Sequence, residues 1–348
     1  MGTPRTVMFP PVQITARTVT LLLAETFTIA RGSSDSEDVV VVEIQHDGIT
    51  GIGEGSPVDY WGETAETMAA FVLEHGAAAI GEDPFDLEGI GTRLGAHEGN
   101  TGAKMALDGA LHDWIGKRAG LPVWRMLGVT MATMPQTSYT IGIDSVDGTI
   151  DKTRRAQRYG VLKIKVGGAD DLARIEVIRE HSPATLRIDG NEGWTLETAR
   201  ELMPALVELG VEFVEQPFPA DDLDSYHALR ELRRRIPVVI DEGCKNLASV
   251  TPIATYADGI NIKISKCGGI REAVRMTHAA RALGLGVMLG CMIESELGIG
   301  QALQLAPLVD WVDLDGHLLI KDGPFRGLGF EDGRVVLSDA PGIGVEAA

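Results

Sequence analysis

Short β-branched runs recur through the middle of the chain, at 138–143, 161–166, 185–190, 211–217, 237–242, 259–264, 286–291 and 311–316. Their starts lie 22 to 27 residues apart. Most of the gaps carry apolar residues three or four apart, the period of one helix face. Residues 171–180 put Leu172, Ile175 and Ile178 on such a face, and 197–209 do so with Leu202, Leu206 and Leu209. Gly160, Gly210 and Gly284 stand where these helices should stop. Strands alternating with helices predict βαβ units and a parallel sheet. Eight at nearly constant period predict an α/β barrel of the closed TIM type, not an open doubly wound sheet.

The first 130 residues follow another pattern. An apolar strand at 39–44, the turn signal Asp47-Gly48 and a returning strand at 49–52 predict a hairpin. Helical stretches follow. The clearest is 101–118, with Ala103, Leu107, Leu111, Trp114 and Ile115 as its stripe, Asn100 as its expected cap and Gly120-Leu121-Pro122 as its stop. This predicts an α+β unit over residues 1–130 and a barrel over 131–321. The tail, 322–348, carries an Asp332-Gly333 turn and a strand at 335–337, and is expected to pack outside the barrel against the first unit. Gly51-Ile52-Gly53-Glu54-Gly55 lacks the spacing of a dinucleotide-binding loop and falls in the hairpin.

Composition narrows the partners. Lys and Arg total 31 against 50 Asp and Glu, a formal charge of −19. A nucleic-acid or anionic-membrane binder carries a basic footprint, so neither partner is expected. Three cysteines make no disulfide framework and fit a reducing compartment. Residues 1–13 lack the charged start and apolar run of a signal peptide. A soluble cytoplasmic protein, homo-oligomeric, is expected. The eight histidines show no HxH or HExxH spacing, which argues against zinc.

The candidate chemistry sits at the ends of the runs, where barrel enzymes place it. Asp189, Glu215 and Asp241 fall 26 residues apart, in phase on three successive runs. Three carboxylates aimed at one point repel unless a cation joins them. All-oxygen ligands suit Mg²⁺. Lys163 and Lys165 share one face of run two, and Lys266 closes run six, on the opposite side of an eight-strand barrel. A metal on a substrate carboxylate stabilises the enediolate left when the α-proton departs. A lysine on each face then permits a 1,1-proton transfer, an epimerisation or racemisation. Asp313 and Asp315 share a face of run eight, across the mouth from the metal. They would hold a cation, and a dipeptide has the reach to bridge its carboxylate at the metal and its ammonium at these aspartates.

These residues resemble the muconate-lactonising-enzyme subgroup of the enolase superfamily. The motifs that carry the resemblance are Lys163-Ile164-Lys165, Asp189-Gly190-Asn191, Val214-Glu215-Gln216-Pro217, Asp241-Glu242, Lys263-Ile264-Ser265-Lys266-Cys267-Gly268-Gly269 and Ala340-Pro341-Gly342-Ile343-Gly344. The superfamily's use of a lysine or histidine base with Mg²⁺ is a known pattern. The resemblance implies a (β/α)7β barrel under a capping domain made of the N-terminal unit and the tail. It implies Mg²⁺ on Asp189, Glu215 and Asp241, Lys165 and Lys266 as the acid/base pair, and Lys163 on the substrate carboxylate. It puts Asn191 and Glu242 behind these groups. Within the subgroup, Asp313-Leu314-Asp315, Cys291-Met292-Ile293-Glu294-Ser295 and Phe27-Thr28-Ile29-Ala30-Arg31-Gly32 look like those of dipeptide epimerases. Substrate contacts are then expected from Arg31, Thr140, Met292, Glu294, Asp313 and Asp315. Arg31 would meet a side-chain carboxylate, which implies L-Ala-D/L-Glu as the first substrate. Epimerisation of hydrophobic or cationic dipeptides, N-acylamino acid racemase or o-succinylbenzoate synthase activity, and a non-catalytic metal-binding scaffold are the alternatives. The acidic stretch from Asp35 to Asp38 favours a neutral or cationic side chain, and Tyr60-Trp61-Gly62 is expected as a second loop over the mouth.

Overall fold

The structure is a computed structural model that describes residues 12–348. Most of the stretch read for a signal peptide lies outside that range. The chain opens with a three-stranded antiparallel sheet, β1 (Gln13–Ile29), β2 (Gly32–His46) and β3 (Ile49–Gly55), ordered β1-β2-β3. The predicted Asp47-Gly48 turn joins β2 to β3, with both residues at positive φ. β1 is longer than the hydrophobic pattern suggests. It pairs with β2 to the tip at Ile29 and Gly32, with a register break between Leu22 and Phe27. Val39 to Val42 are all buried. The run does not alternate because the sheet is covered on both faces: Val40, Val42 and Ile44 enter the cap core, and Val41 joins the barrel core.

Three helices back this sheet: α1 (Ala65–Ile80), α2 (Leu87–Gly95) and α3 (Thr101–Ala119). The glycines of β3 explain the fit. A Cβ at Gly51, Gly53 or Gly55 would stand 2.2, 2.2 or 2.0 Å from the carbonyl oxygens of Ala110, Ala106 and Gly102. The repeat is therefore a strand-to-helix seam, a period of two matched to a period of four. α3 begins where predicted, but Asn100 does not cap it. Asn100 is in the left-handed region and its side chain makes no cap bond. Glu63 does the work from outside, accepting from the N–H groups of Thr101 (2.6 Å) and Gly102 (3.1 Å) and from Val58 N–H (3.3 Å). A carboxylate at a helix N-terminus satisfies orphan donors and opposes the positive dipole end.

The eight runs form eight parallel strands: β4 (Tyr139–Ile141), β5 (Val161–Lys165), β6 (Thr185–Asp189), β7 (Val211–Glu215), β8 (Val238–Ile240), β9 (Gly259–Lys263), β10 (Gly286–Gly290) and β11 (Trp311–Asp313). They pair in sequence order. A bridge between Thr137 and Val312 closes the ring, with Ser138 N–H donating to Val312 O. Helical segments fill the seven connections, and none of the barrel type follows β11, as a (β/α)7β barrel requires. Gly210 and Gly284 take positive φ beyond their helices. Gly160 does not: its helix, Val146–Arg155, has already ended.

Strand alternation is inverted relative to an ordinary core. Leu162, Ile164, Leu186, Ile188, Val214, Ile240, Ile260, Ile262 and Leu289 point outward into the apolar core beneath the helices. Inside the ring stand lysines, carboxylates and, lower down, Phe213, Val239 and Met288. The tail pairs β12 (Phe325–Arg326) with β15 (Glu346–Ala347) and β13 (Leu328–Glu331) with β14 (Arg334–Leu337). Its Ile343 N–H donates to Asp113 of α3, and Gly342 O accepts from Val123 N–H. No helix among the described residues is long and apolar enough to cross a membrane.

Candidate active site

A cavity of about 370 Å³ lies where the strand ends meet the cap. Its barrel wall includes Thr140, Lys163, Lys165, Asn191, Lys263, Asp313 and Asp315, and its cap wall includes Phe27, Arg31, Ser34 and Tyr60. Met292 closes one side. Two approaches of the β1–β2 hairpin to the barrel hold its tip over the opening: Ile143 N–H donates to Thr28 O, and Ala24 N–H to Leu319 O.

The floor is a lattice of opposed charges. Lys163 Nζ lies 2.6 Å from Asp313 Oδ2, 2.9 Å from Glu215 Oε2 and 3.0 Å from Asp189 Oδ2. Lys165 Nζ lies 2.7 Å from Asp189 Oδ2. Lys263 Nζ lies 2.9 Å from Asp241 Oδ2, and Lys266 bonds Asp241 through both Oδ1 and the backbone carbonyl. All of these groups are buried. Burial alone would raise Asp189 and Asp241, but the lysine charges hold both well below the usual carboxylate range. Glu215 is pushed up to about 7, by burial and then by the charge of Asp189. For Lys163, burial is outweighed by Asp189, Asp313 and Glu215, and the ammonium is held well above its ordinary range. Asp241 does the same for Lys263.

The donor set fits a hard divalent cation. Asp189, Glu215 and Asp241 contribute only oxygen, and buried Glu215 Oε2 and Asp241 Oδ2 face lysine ammoniums, the places a cation would take. Among the described residues no three carboxylates converge on one point as they stand; the Lys163 ammonium lies between Asp189 and Glu215. With Asp241 committed to a cation, Lys263 would lose the carboxylate charge that holds its ammonium above its ordinary range.

Two expected residues lie elsewhere. β9 ends at Lys263, and Lys266 follows on a single helical turn, Ile264–Cys267. That turn carries Lys266 behind Asp241, where it lines a different crevice, between α2, α3 and the barrel. The residue that faces the cavity from β9 is Lys263, in register with Gly290 of β10 and, through it, Asp313 of β11. The inward phase that selects Lys163 and Lys165 also selects Lys263, so the signal was present in the strand. Glu294 likewise turns away. It is buried against Glu54 of β3, and burial together with that neighbouring charge pushes it up to about 8. Glu54 accepts from Ser295 N–H and Oγ, so this carboxylate pair joins the cap to the barrel and does not touch the cavity.

The others are brought together. Asp315 accepts from Thr140 N–H at 2.6 Å, and burial and Asp313 push it up to about 7. Asp313 is already held by Lys163 and Ser138, so Asp315 is the aspartate left open to a cation. Asn191 donates to Glu242 and its N–H to Asp189. Arg31 reaches from the hairpin tip to Glu242 (2.6 Å) and Glu192 (3.8 Å). Tyr60 is a contributor that sequence reasoning named only as part of a loop.

Known proteins resemble this chain over most of its length. The family model described as mandelate racemase / muconate lactonizing enzyme, N-terminal domain, matches residues 12–128, and the enolase C-terminal domain-like model matches 148–348. The chain is 39% identical over 328 residues to the L-Ala-D/L-Glu epimerase of Bacteroides thetaiotaomicron, covering 93% of this chain and 85% of that one. The substrate-liganded L-Ala-D/L-Glu epimerase from Bacillus subtilis is similar in structure, with a TM-score of 0.90, 30% identity and coverage of 97% and 99% of the two chains. The dipeptide epimerase from Methylococcus capsulatus, complexed with Mg and L-Arg-D-Lys, has a TM-score of 0.88 at 33% identity, covering 97% and 99%.

Proposed function

Because the chain belongs to the enolase superfamily, in its muconate-lactonising-enzyme subgroup, we propose that it is a Mg²⁺-dependent dipeptide epimerase acting at the α-carbon of the C-terminal residue. The observation that carries this reading is the placement of Lys165 on β5 and Lys263 on β9, four strands apart, in one cavity whose far side holds Asp315. In this reading Lys165 and Lys263 form the acid/base pair, and Lys266 supports Asp241 from behind. Asp189, Glu215 and Asp241 hold the Mg²⁺. Bound there, Mg²⁺ supplies Lewis-acid stabilisation of charge developing on the substrate carboxylate. One lysine removes the α-proton and the other returns one on the opposite face. Lys163 steadies the carboxylate, and Asp315 receives the ammonium. The substrates of an N-acylamino acid racemase or an o-succinylbenzoate synthase lack that ammonium, which counts against those alternatives.

The first substrate we propose is L-Ala-D/L-Glu, with Arg31 facing the side-chain carboxylate. A second reading, a neutral or cationic side chain, draws on the pairing of Arg31 with Glu242 and Glu192 and on Glu37 in the cavity wall. The same proposal divides the chain at 130/131, with the tail 322–348 serving the cap, and places a homo-oligomer in the cytoplasm; light scattering on the purified protein checks the assembly. A dipeptide library incubated in D₂O with Mg²⁺ and read by mass spectrometry tests the activity. One deuterium should enter the C-terminal α-position, with none in EDTA. Absence of exchange on every Ala-Xaa and Xaa-Glu member would sink the proposal.

A further inference from the structure

Tyr60 sits on a short turn of the cap, Asp59–Trp61, and lines the same cavity as Lys165 and Lys263. Its ring lies 5.0 Å from the Arg31 guanidinium carbon, within the range of a cation–π contact. The opposite demand on Arg31 comes from Glu242, at 2.6 Å. The guanidinium is thus gripped between an aromatic ring and a carboxylate, which fixes its direction. The turn is itself fixed. Trp61 N–H donates to Val58 O, Gly62 N–H donates to Asp59 O, and the Trp61 ring packs edge-on against Tyr60 and under Lys245.

The Tyr60 hydroxyl is buried and has no hydrogen-bond partner among the described residues. A buried donor without an acceptor is costly, so a fixed turn that holds one at a cavity wall is arranged for an acceptor that arrives. Against the same ring stands Arg31, a second donor in the cavity wall. Two donors in one wall, one of them cationic, suit a carboxylate.

We propose that Tyr60 is a specificity-determining residue: its ring orients Arg31, and its hydroxyl donates a second hydrogen bond to the side-chain carboxylate of the substrate's C-terminal residue. This rests on the L-Ala-D/L-Glu reading. The test compares wild type with Tyr60→Phe, which keeps the ring and removes the hydroxyl, on L-Ala-L-Glu and L-Ala-L-Leu, measuring KM and kcat by α-deuterium exchange. For L-Ala-L-Glu the KM should rise roughly ten- to a hundredfold with little change in kcat, and by at least tenfold more than for L-Ala-L-Leu. Equal effects on the two dipeptides, or a fall confined to kcat, would overturn the role of Tyr60 while leaving the substrate reading intact. A wild-type enzyme that exchanges L-Ala-L-Leu but not L-Ala-L-Glu would overturn both.

Discussion

The barrel floor and the cap wall of the cavity are built by opposite rules. On the floor Lys165, Asp189, Glu215 and Lys263 are each the last residue of a strand, and their spacing repeats the spacing of the strands. Position there is set by a rigid ladder shared with the apolar core. On the cap wall, Arg31 and Tyr60 sit at a hairpin tip and a three-residue turn, and their position depends on contacts with each other and with Glu242. The lesson is a division of labour: the ladder fixes where a proton can move, and the turns fix which side chain is admitted.

That contrast can be broken at several strengths. Lys165→Ala and Lys263→Ala should each lower the epimerisation rate by roughly 10²–10⁴-fold, measured by polarimetry or deuterium exchange. If Lys266→Ala fell as far while Lys263→Ala stayed active, phase on the strand would not be the rule that places the base. Asp315→Asn removes the charge facing the ammonium but keeps the acceptor for Thr140. It should raise the KM for a dipeptide roughly ten- to a hundredfold, and an unchanged KM would detach β11 from substrate binding. The smallest effect should come from Glu63→Ala, which uncaps α3 and costs about 1 kcal/mol in urea denaturation. A loss no larger than that of an exposed control would show that the cap does not hang on this residue.

Much of the molecule was legible in the sequence because periodic features carry their own check. Eight evenly spaced runs predict a barrel, and the same phase points three carboxylates and two lysines inward. The assignment of Lys266 departs from that phase: three residues past Lys263, it lies beyond the strand, in a turn that only the fold displays. Glu294 and the cap of α3 were hidden for another reason. Glu294 meets Glu54, and Thr101 meets Glu63, across 240 and 38 residues, so no local pattern records either contact. The unpartnered hydroxyl of Tyr60 is a property of three-dimensional crowding and has no signature in the chain.

Glu63 has one more consequence. Its carboxylate ties Val58, at the foot of the turn that bears Tyr60, to the first N–H groups of α3. One wall of the cavity is therefore ordered before any ligand enters, and little backbone entropy remains to be lost there on association. Discrimination at such a preorganised wall falls on dissociation, since a mismatched side chain enters as readily as a matched one and leaves sooner.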